Sequence, residues 1–153
     1  MKILYAARLA RWDVLRAVNH LACFFTKWST DCDRKLHRLV SYLNETKHVK
    51  MIGWVADNLS DISLDLFADA DFAGCVSSQR STSGAFLCWK GPDSCFGLSC
   101  LSKRQGCVSL STPEAEIVAA NHAIRHLGFP ALELWQHLTG DPTRVCWSTR
   151  TRP

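Results

Sequence analysis

Four carboxylates stand at two places in the chain where such groups can do chemistry. Asp69 and Asp71 close the run Leu64-Asp65-Leu66-Phe67-Ala68-Asp69-Ala70-Asp71, just ahead of Gly74. Glu114 and Glu116 stand in Ser109-Leu110-Ser111-Thr112-Pro113-Glu114-Ala115-Glu116. An apolar run ending in acidic side chains is a common way to build an oxygen-only metal site, and such ligands suit magnesium or manganese. Two carboxylates brought together repel, and one pKa rises unless a cation sits between them. The plainer reading makes Asp69 and Asp71 turn residues and Glu114 and Glu116 a solvated helix start. Residue chemistry alone leaves both readings open.

The elements that must position these groups follow from spacing. On a strand over 63–71, Asp65, Phe67, Asp69 and Asp71 share one face and Leu66, Ala68 and Ala70 the other. Asp69 sits near the strand end, and Asp71 enters the turn. Ser111, Pro113 and Glu114 combine a cap residue, a first-turn proline and a glutamate three positions after the serine. That spends Glu114 on the cap and the helix dipole. Glu116, on the side of Ala119, Ala120 and Ala123, is then the helix carboxylate expected to face Asp69.

The rest of the chain supplies a frame. Apolar positions predict a helix from Asp13 to about Trp28 and a second from about Cys32 to Glu45, separated by a stop and restart at Ser29-Thr30-Asp31. Strands are expected at 63–71, 85–89 and 94–101, with Gly91-Pro92-Asp93 as the hairpin turn. The polar segment from Gly74 to Gly84 reads as a connection. The helix after Ser111 is expected to stop at Gly128, with a short helix from Pro130 to Leu138 beyond it. Val145-Cys146-Trp147 offers a possible fourth strand. Strands joined by short turns are antiparallel, and a strand returning after helices adds parallel.

Composition excludes several classes. The sequence has 153 residues, 47% of them apolar, which suffices for a packed core. No stretch is long enough to span a membrane, so no membrane partner is expected. The N-terminal apolar run is broken by Arg8 and Arg11 and does not read as a signal peptide. The eight cysteines include no Cys-x-x-Cys and read as reduced thiols, which points to an intracellular protein (cytoplasm or nucleus), not a secreted one. His122 and His126 are four apart, but no glutamate follows His122 as a zinc protease requires, so they read as helix-surface histidines. The net charge of +4 permits an anionic partner without demanding one. Arg34, Lys35 and Arg38 on the second helix, with Lys47 and Lys50 after it, are a solvated face or a phosphate-tracking one.

Four motifs then occur in order: Asp69-Ala70-Asp71-Phe72-Ala73-Gly74, Arg80-Ser81-Thr82-Ser83-Gly84, Ser102-Lys103-Arg104-Gln105, and Leu110-Ser111-Thr112-Pro113-Glu114-Ala115-Glu116. Together they resemble the ribonuclease H domain of Copia-type retrotransposon Pol polyproteins. Tyr5-Ala6-Ala7-Arg8 to Lys27-Trp28, and Leu36 to Leu43, are similar to the segment joining that family's reverse transcriptase to its ribonuclease H.

The resemblance implies an α/β fold with a ribonuclease H-like mixed sheet. Three strands are antiparallel, a possible fourth is parallel, helices flank the sheet, and two helices precede it. It implies a connection segment over 1–60, a ribonuclease H-like domain over 61–147 that is incomplete at the C-terminus, and a disordered tail over 148–153. It also implies two-metal hydrolysis of the RNA strand of an RNA–DNA hybrid, with Mg2+ or Mn2+ as cofactor. The remainder of Pol, including the reverse transcriptase, is the implied protein partner. Carried over by position, Asp69 and Glu116 match metal-binding carboxylates, whereas Asp71 and Glu114 are not assigned as ligands. Arg34, Lys35, Arg38, Lys47, Lys50, Lys103 and Arg104 become nucleic-acid contacts.

Three departures accompany the likeness. Val145-Cys146-Trp147-Ser148-Thr149-Arg150 lacks the carboxylate that the family carries after its helices, Trp12 replaces a common proline, and the ending resembles a truncated or frame-shifted copy. Tyr-x-Asp-Asp, the polymerase signature, does not occur. Little or no hybrid cleavage is therefore expected.

Overall fold

The computed structural model describes residues 2–75 and 78–140, together with the backbone of 145–149. The chain divides into two compact units, Met1–Ile52 and Gly53–Pro153.

The first unit is helical. It holds α1 (Lys2–Leu9), α2 (Leu15–Ala22) and α3 (Thr30–Glu45). Three helices precede the sheet, where the sequence pattern gave two. The single helix expected over 13–28 is instead a 3-10 turn at Trp12–Val14, then α2, then a second 3-10 turn at Phe25–Lys27. Apolar spacing locates a buried face but does not register local tightening of the backbone. The restart at Ser29 is as expected: its backbone is extended (φ −136°, ψ 166°) and α3 begins at the next residue.

Arg11 ties this unit together. Its guanidinium donates to both carboxylate oxygens of Asp13, at 3.0 and 2.8 Å, and to the Thr46 carbonyl and hydroxyl, at 3.2 and 2.7 Å. The Trp12 indole N–H donates to the Arg8 carbonyl at 3.0 Å, using a side chain that a proline at this position would not provide.

The second unit is a sheet with helices. Strands β1 (Ser63–Asp71), β2 (Thr82–Lys90) and β3 (Cys95–Arg104) form an antiparallel meander. After α4 (Thr112–Ala123) and α5 (Phe129–Thr139), strand β4 (Val145–Thr149) lies parallel to β1, giving the order β3-β2-β1-β4. The core gathers Ile62, Leu64 and Leu66 with Ala85, Leu87, Ala123 and Trp135. Leu64 and Leu66 alternate along β1, and Ala85 and Leu87 along β2, so one sheet face is buried against the helices. Residues 53–61 are held against the β2–β3 hairpin. Trp54 bridges Cys95, and the Ser94 hydroxyl accepts from the N–H groups of Ala56 and Asp57 at 2.9 and 3.0 Å.

Two expectations need correction. β2 begins at Thr82, inside the segment expected as a connection, and β3 runs to Arg104, beyond the end expected at Leu101. Pairing of Asp71 with Thr82, and of Thr82 with Arg104, overrides the local polar composition. Gly128 does not stop a helix. Its backbone is right-handed (φ −63°, ψ −58°), and Ile124–Gly128 forms a π turn that carries α4 directly into α5. The left-handed glycine that ends the helical run is Gly140 (φ 71°). Of the disordered tail expected over 148–153, Ser148 and Thr149 form the end of β4, and 150–153 lie outside the described residues.

Candidate functional site

Asp69 sits two residues from the end of β1, exposed, and its side chain forms no hydrogen bond or ion pair with any described residue. Strand alternation puts it on the face opposite Leu64, Leu66 and Ala68. Its cross-strand partner is Gly84, which carries no side chain and leaves space beside the carboxylate. Asp71, expected to enter the turn, is instead the last residue of β1 and pairs with Thr82. A Cβ at Gly74 would overlap the Asp71 carboxylate, so this side chain lies over the turn backbone. Ala73 in that turn holds a left-handed conformation (φ 51°), and its N–H donates to the Ser81 hydroxyl at 3.1 Å.

Glu116 lies one turn into α4. The helix buries Ala115, Ala119 and Ala123 against the sheet, and Glu116 is half-buried along the edge of that stripe. Glu114 is spent on the cap. The Ser111 hydroxyl accepts from the Glu114 N–H at 3.3 Å, and the Glu114 carboxylate accepts from the Leu110 N–H at 2.7 Å. A reciprocal cap of this kind fixes where the helix begins, and so where Glu116 stands.

What joins the two regions is a buried polar network that the sequence reading did not assign. The Gln105 side-chain amide donates to the Ser83 hydroxyl at 3.0 Å and to the Ala115 carbonyl at 2.9 Å. The Ser109 hydroxyl donates to the Gln105 side-chain carbonyl at 3.3 Å, and the Gln105 N–H to the Ser81 carbonyl at 2.8 Å. Ser81, Ser83, Gln105 and Ser109 are all buried. Polar side chains that deep must be satisfied, and here they satisfy one another. The clue in the sequence was a cluster of serines and a glutamine inside otherwise well-marked motifs. Its meaning depends on partners distant along the chain.

The basic candidates fall in separate units: Arg34, Lys35, Arg38, Lys47 and Lys50 in the first, Lys103 and Arg104 in the second. All seven are exposed. Lys35 is committed to Asp31 at 2.7 Å, one helical turn away.

Among the described residues there is no group of three or more His, Cys, Asp or Glu side chains that could hold a metal ion. The five residues of β4, the parallel neighbour of β1, include no carboxylate. The described residues alone do not supply the donors of a two-ion site. His122 and His126 do meet, with ring centroids 4.1 Å apart, and both His122 ring nitrogens are shielded without a hydrogen-bond partner. His122 is therefore half inside the fold rather than an ordinary surface histidine. The seven described cysteines are all free. No described helix is long and apolar enough to cross a membrane.

The chain is similar in sequence to known proteins. The chain is 30% identical over 122 residues to the retrovirus-related Pol polyprotein from transposon TNT 1-94 of Nicotiana tabacum, covering 77% of this chain and 8% of that protein. It is 33% identical over 121 residues to secreted RxLR effector protein 161 of Plasmopara viticola, covering 79% of this chain and 80% of that protein. The chain belongs to one family with that Plasmopara protein, and over the same residues it is similar to retrotransposon Pol sequence. A further relative is the uncharacterized mitochondrial protein AtMg00810 of Arabidopsis thaliana, 35% identical over 108 residues, 71% of this chain and 42% of that protein. The chain thus spans a small part of the tobacco polyprotein and most of the Plasmopara protein. No protein-family model and no solved structure matches it.

Proposed function

We propose that the second unit is a ribonuclease H-like piece of a Copia-type Pol sequence, with Asp69 and Glu116 as its inherited metal carboxylates, and that the chain binds RNA–DNA hybrids while cleaving them weakly or not at all. The observation that carries this reading is the linkage of four separate motifs through strand pairing and the hydrogen bonds of Gln105. Asp69 lies opposite Gly84, Ser83 next to it accepts from Gln105, and Gln105 also holds Ala115, the residue before Glu116. The likeness to the tobacco Pol polyprotein supports it. Magnesium is the family's ion, but two carboxylates do not make its site, so no hydrolytic step is drawn through a metal.

Arg34, Lys35, Arg38, Lys47, Lys50, Lys103 and Arg104 supply the phosphate contacts in this reading, and selectivity for the hybrid rests on shape and 2′-hydroxyls. Residues 1–60 serve as a connection segment to the remainder of Pol. The location that goes with this reading is intracellular, although the Plasmopara relative is named a secreted effector.

Fluorescence anisotropy with a labelled RNA–DNA hybrid tests the binding claim. Association is expected to weaken linearly in log–log form with salt, and Lys103→Ala together with Arg104→Ala to lower the slope by about 2. No association at low salt contradicts it.

A further inference from the structure

Within the first unit, α2 and α3 line an open pocket of ≈ 380 Å³, whose apolar floor the ribonuclease H-like reading does not use. Its base is apolar and made by buried side chains: Val14, Leu21 and Leu39. Its edge carries two cations of α3, Lys35 and Arg38, on one side of the opening's lining. The size lies in the range of small-molecule sites, which combine an apolar body with a few polar groups that set orientation.

The charge balance decides the occupant. Asp13 is the one carboxylate that lines the cavity among the described residues, and it is already engaged. Arg11 donates to both its oxygens, and the Tyr42 hydroxyl donates to Oδ2 at 3.0 Å. Lys35 is shared with Asp31, whereas Arg38 forms no ion pair with any described residue. The lining therefore presents unspent positive charge beside an apolar floor. The same bonds hold Tyr42 in place, with the Arg11 guanidinium 5.7 Å from its ring centroid. A wall that is fixed before binding costs little to order when a ligand arrives.

We infer that this cavity binds a nucleoside monophosphate group, its flat base on the apolar floor beside Tyr42 and its phosphate at Arg38 and Lys35. An aromatic body satisfies the floor, and a dianionic phosphate satisfies the cations, with Arg38 offering a fork suited to phosphate oxygens. The group can be a free mononucleotide or the terminal nucleotide of a strand. The inference does not depend on Asp69 or Glu116.

Titration calorimetry on the full chain tests it with adenosine 5′-monophosphate, adenosine and inorganic phosphate as separate probes. The monophosphate is expected to bind at least about tenfold more tightly than adenosine or phosphate alone, the scale of one charge-assisted contact. Arg38→Ala, at an exposed position, is expected to remove that preference. Ala17→Phe, an exposed lining position, fills the mouth and is expected to abolish binding, with circular dichroism checking the fold. Equal affinity for monophosphate and adenosine, or binding unchanged in both variants, overturns the inference, as does no heat at millimolar monophosphate. A 5′-phosphorylated trinucleotide that binds as tightly as the monophosphate assigns the cavity to strand ends, and its exclusion assigns it to the free nucleotide.

Discussion

The Gln105 side-chain amide donates to the Ala115 carbonyl at 2.9 Å and, through the same nitrogen, to the Ser83 hydroxyl at 3.0 Å. A residue just past β3 is thereby bonded to the first turn of α4 and to β2. Removing one partner of a buried hydrogen bond leaves the other unsatisfied, at about 1–3 kcal/mol each. Gln105→Leu strands both the Ser83 hydroxyl and the Ala115 carbonyl, so a loss of about 2–4 kcal/mol is expected in urea unfolding followed by circular dichroism. Ser109→Ala removes a single bond at the edge of the network and is expected to cost about 1 kcal/mol.

His122 sets an acid limit on stability. Burial, then His126, then Lys103 hold its imidazole below the ordinary value of 6.5. The unfolded chain therefore takes up the proton first as pH falls. Stability is expected to be level above about pH 6.5 for this group and to decline below it, through the lowered folded value. His122→Phe keeps an aromatic ring against His126 and is expected to make the decline shallower in thermal melts between pH 7.5 and 5. An unchanged acid slope contradicts the assignment.

The thiols divide by burial. Burial, with smaller contributions from Asp65 and Cys95, pushes the Cys88 thiol up to about 11, and burial pushes Cys100 to about 11. A rise of two units leaves about a hundredfold less thiolate than an ordinary thiol has. Cys23 and Cys107 are exposed. Brief treatment with iodoacetamide at neutral pH, read by peptide mass spectrometry, is expected to label Cys23 and Cys107 first and Cys88 only after unfolding.

Asp69 is expected to be expendable for folding. It is exposed and its side chain bonds to no described residue, so Asp69→Asn should shift stability by no more than about 0.5 kcal/mol in the same urea assay. A residue kept for chemistry or inherited from it differs in this way from one kept for packing. Leu66, 2% exposed in the core, is the contrast: Leu66→Ala is expected to cost about 2–5 kcal/mol.

These contrasts mark what was legible in the sequence. The strand carrying Asp69 was readable to its ends, because Leu64 and Leu66 alternate with polar residues and Gly74 follows. The cap at Ser111 was readable because its signature is local. Thr82–Gly84 and Ser102–Arg104 were not readable as strand, since only their cross-strand partners make them so. The π turn at Ile124–Gly128 has no composition of its own, and Gly128 imitates a helix stop that Gly140 supplies. The network around Gln105 joins residues 10 and 22 positions apart, which no periodicity encodes.

The central claim is a ribonuclease H-like unit whose metal site lacks a sufficient donor set. Incubating the purified chain with a labelled RNA–DNA hybrid and magnesium tests it most directly, with products resolved on a denaturing gel. The account predicts little or no cleavage while the hybrid remains bound. Robust magnesium-dependent cleavage that Asp69→Asn abolishes would contradict it.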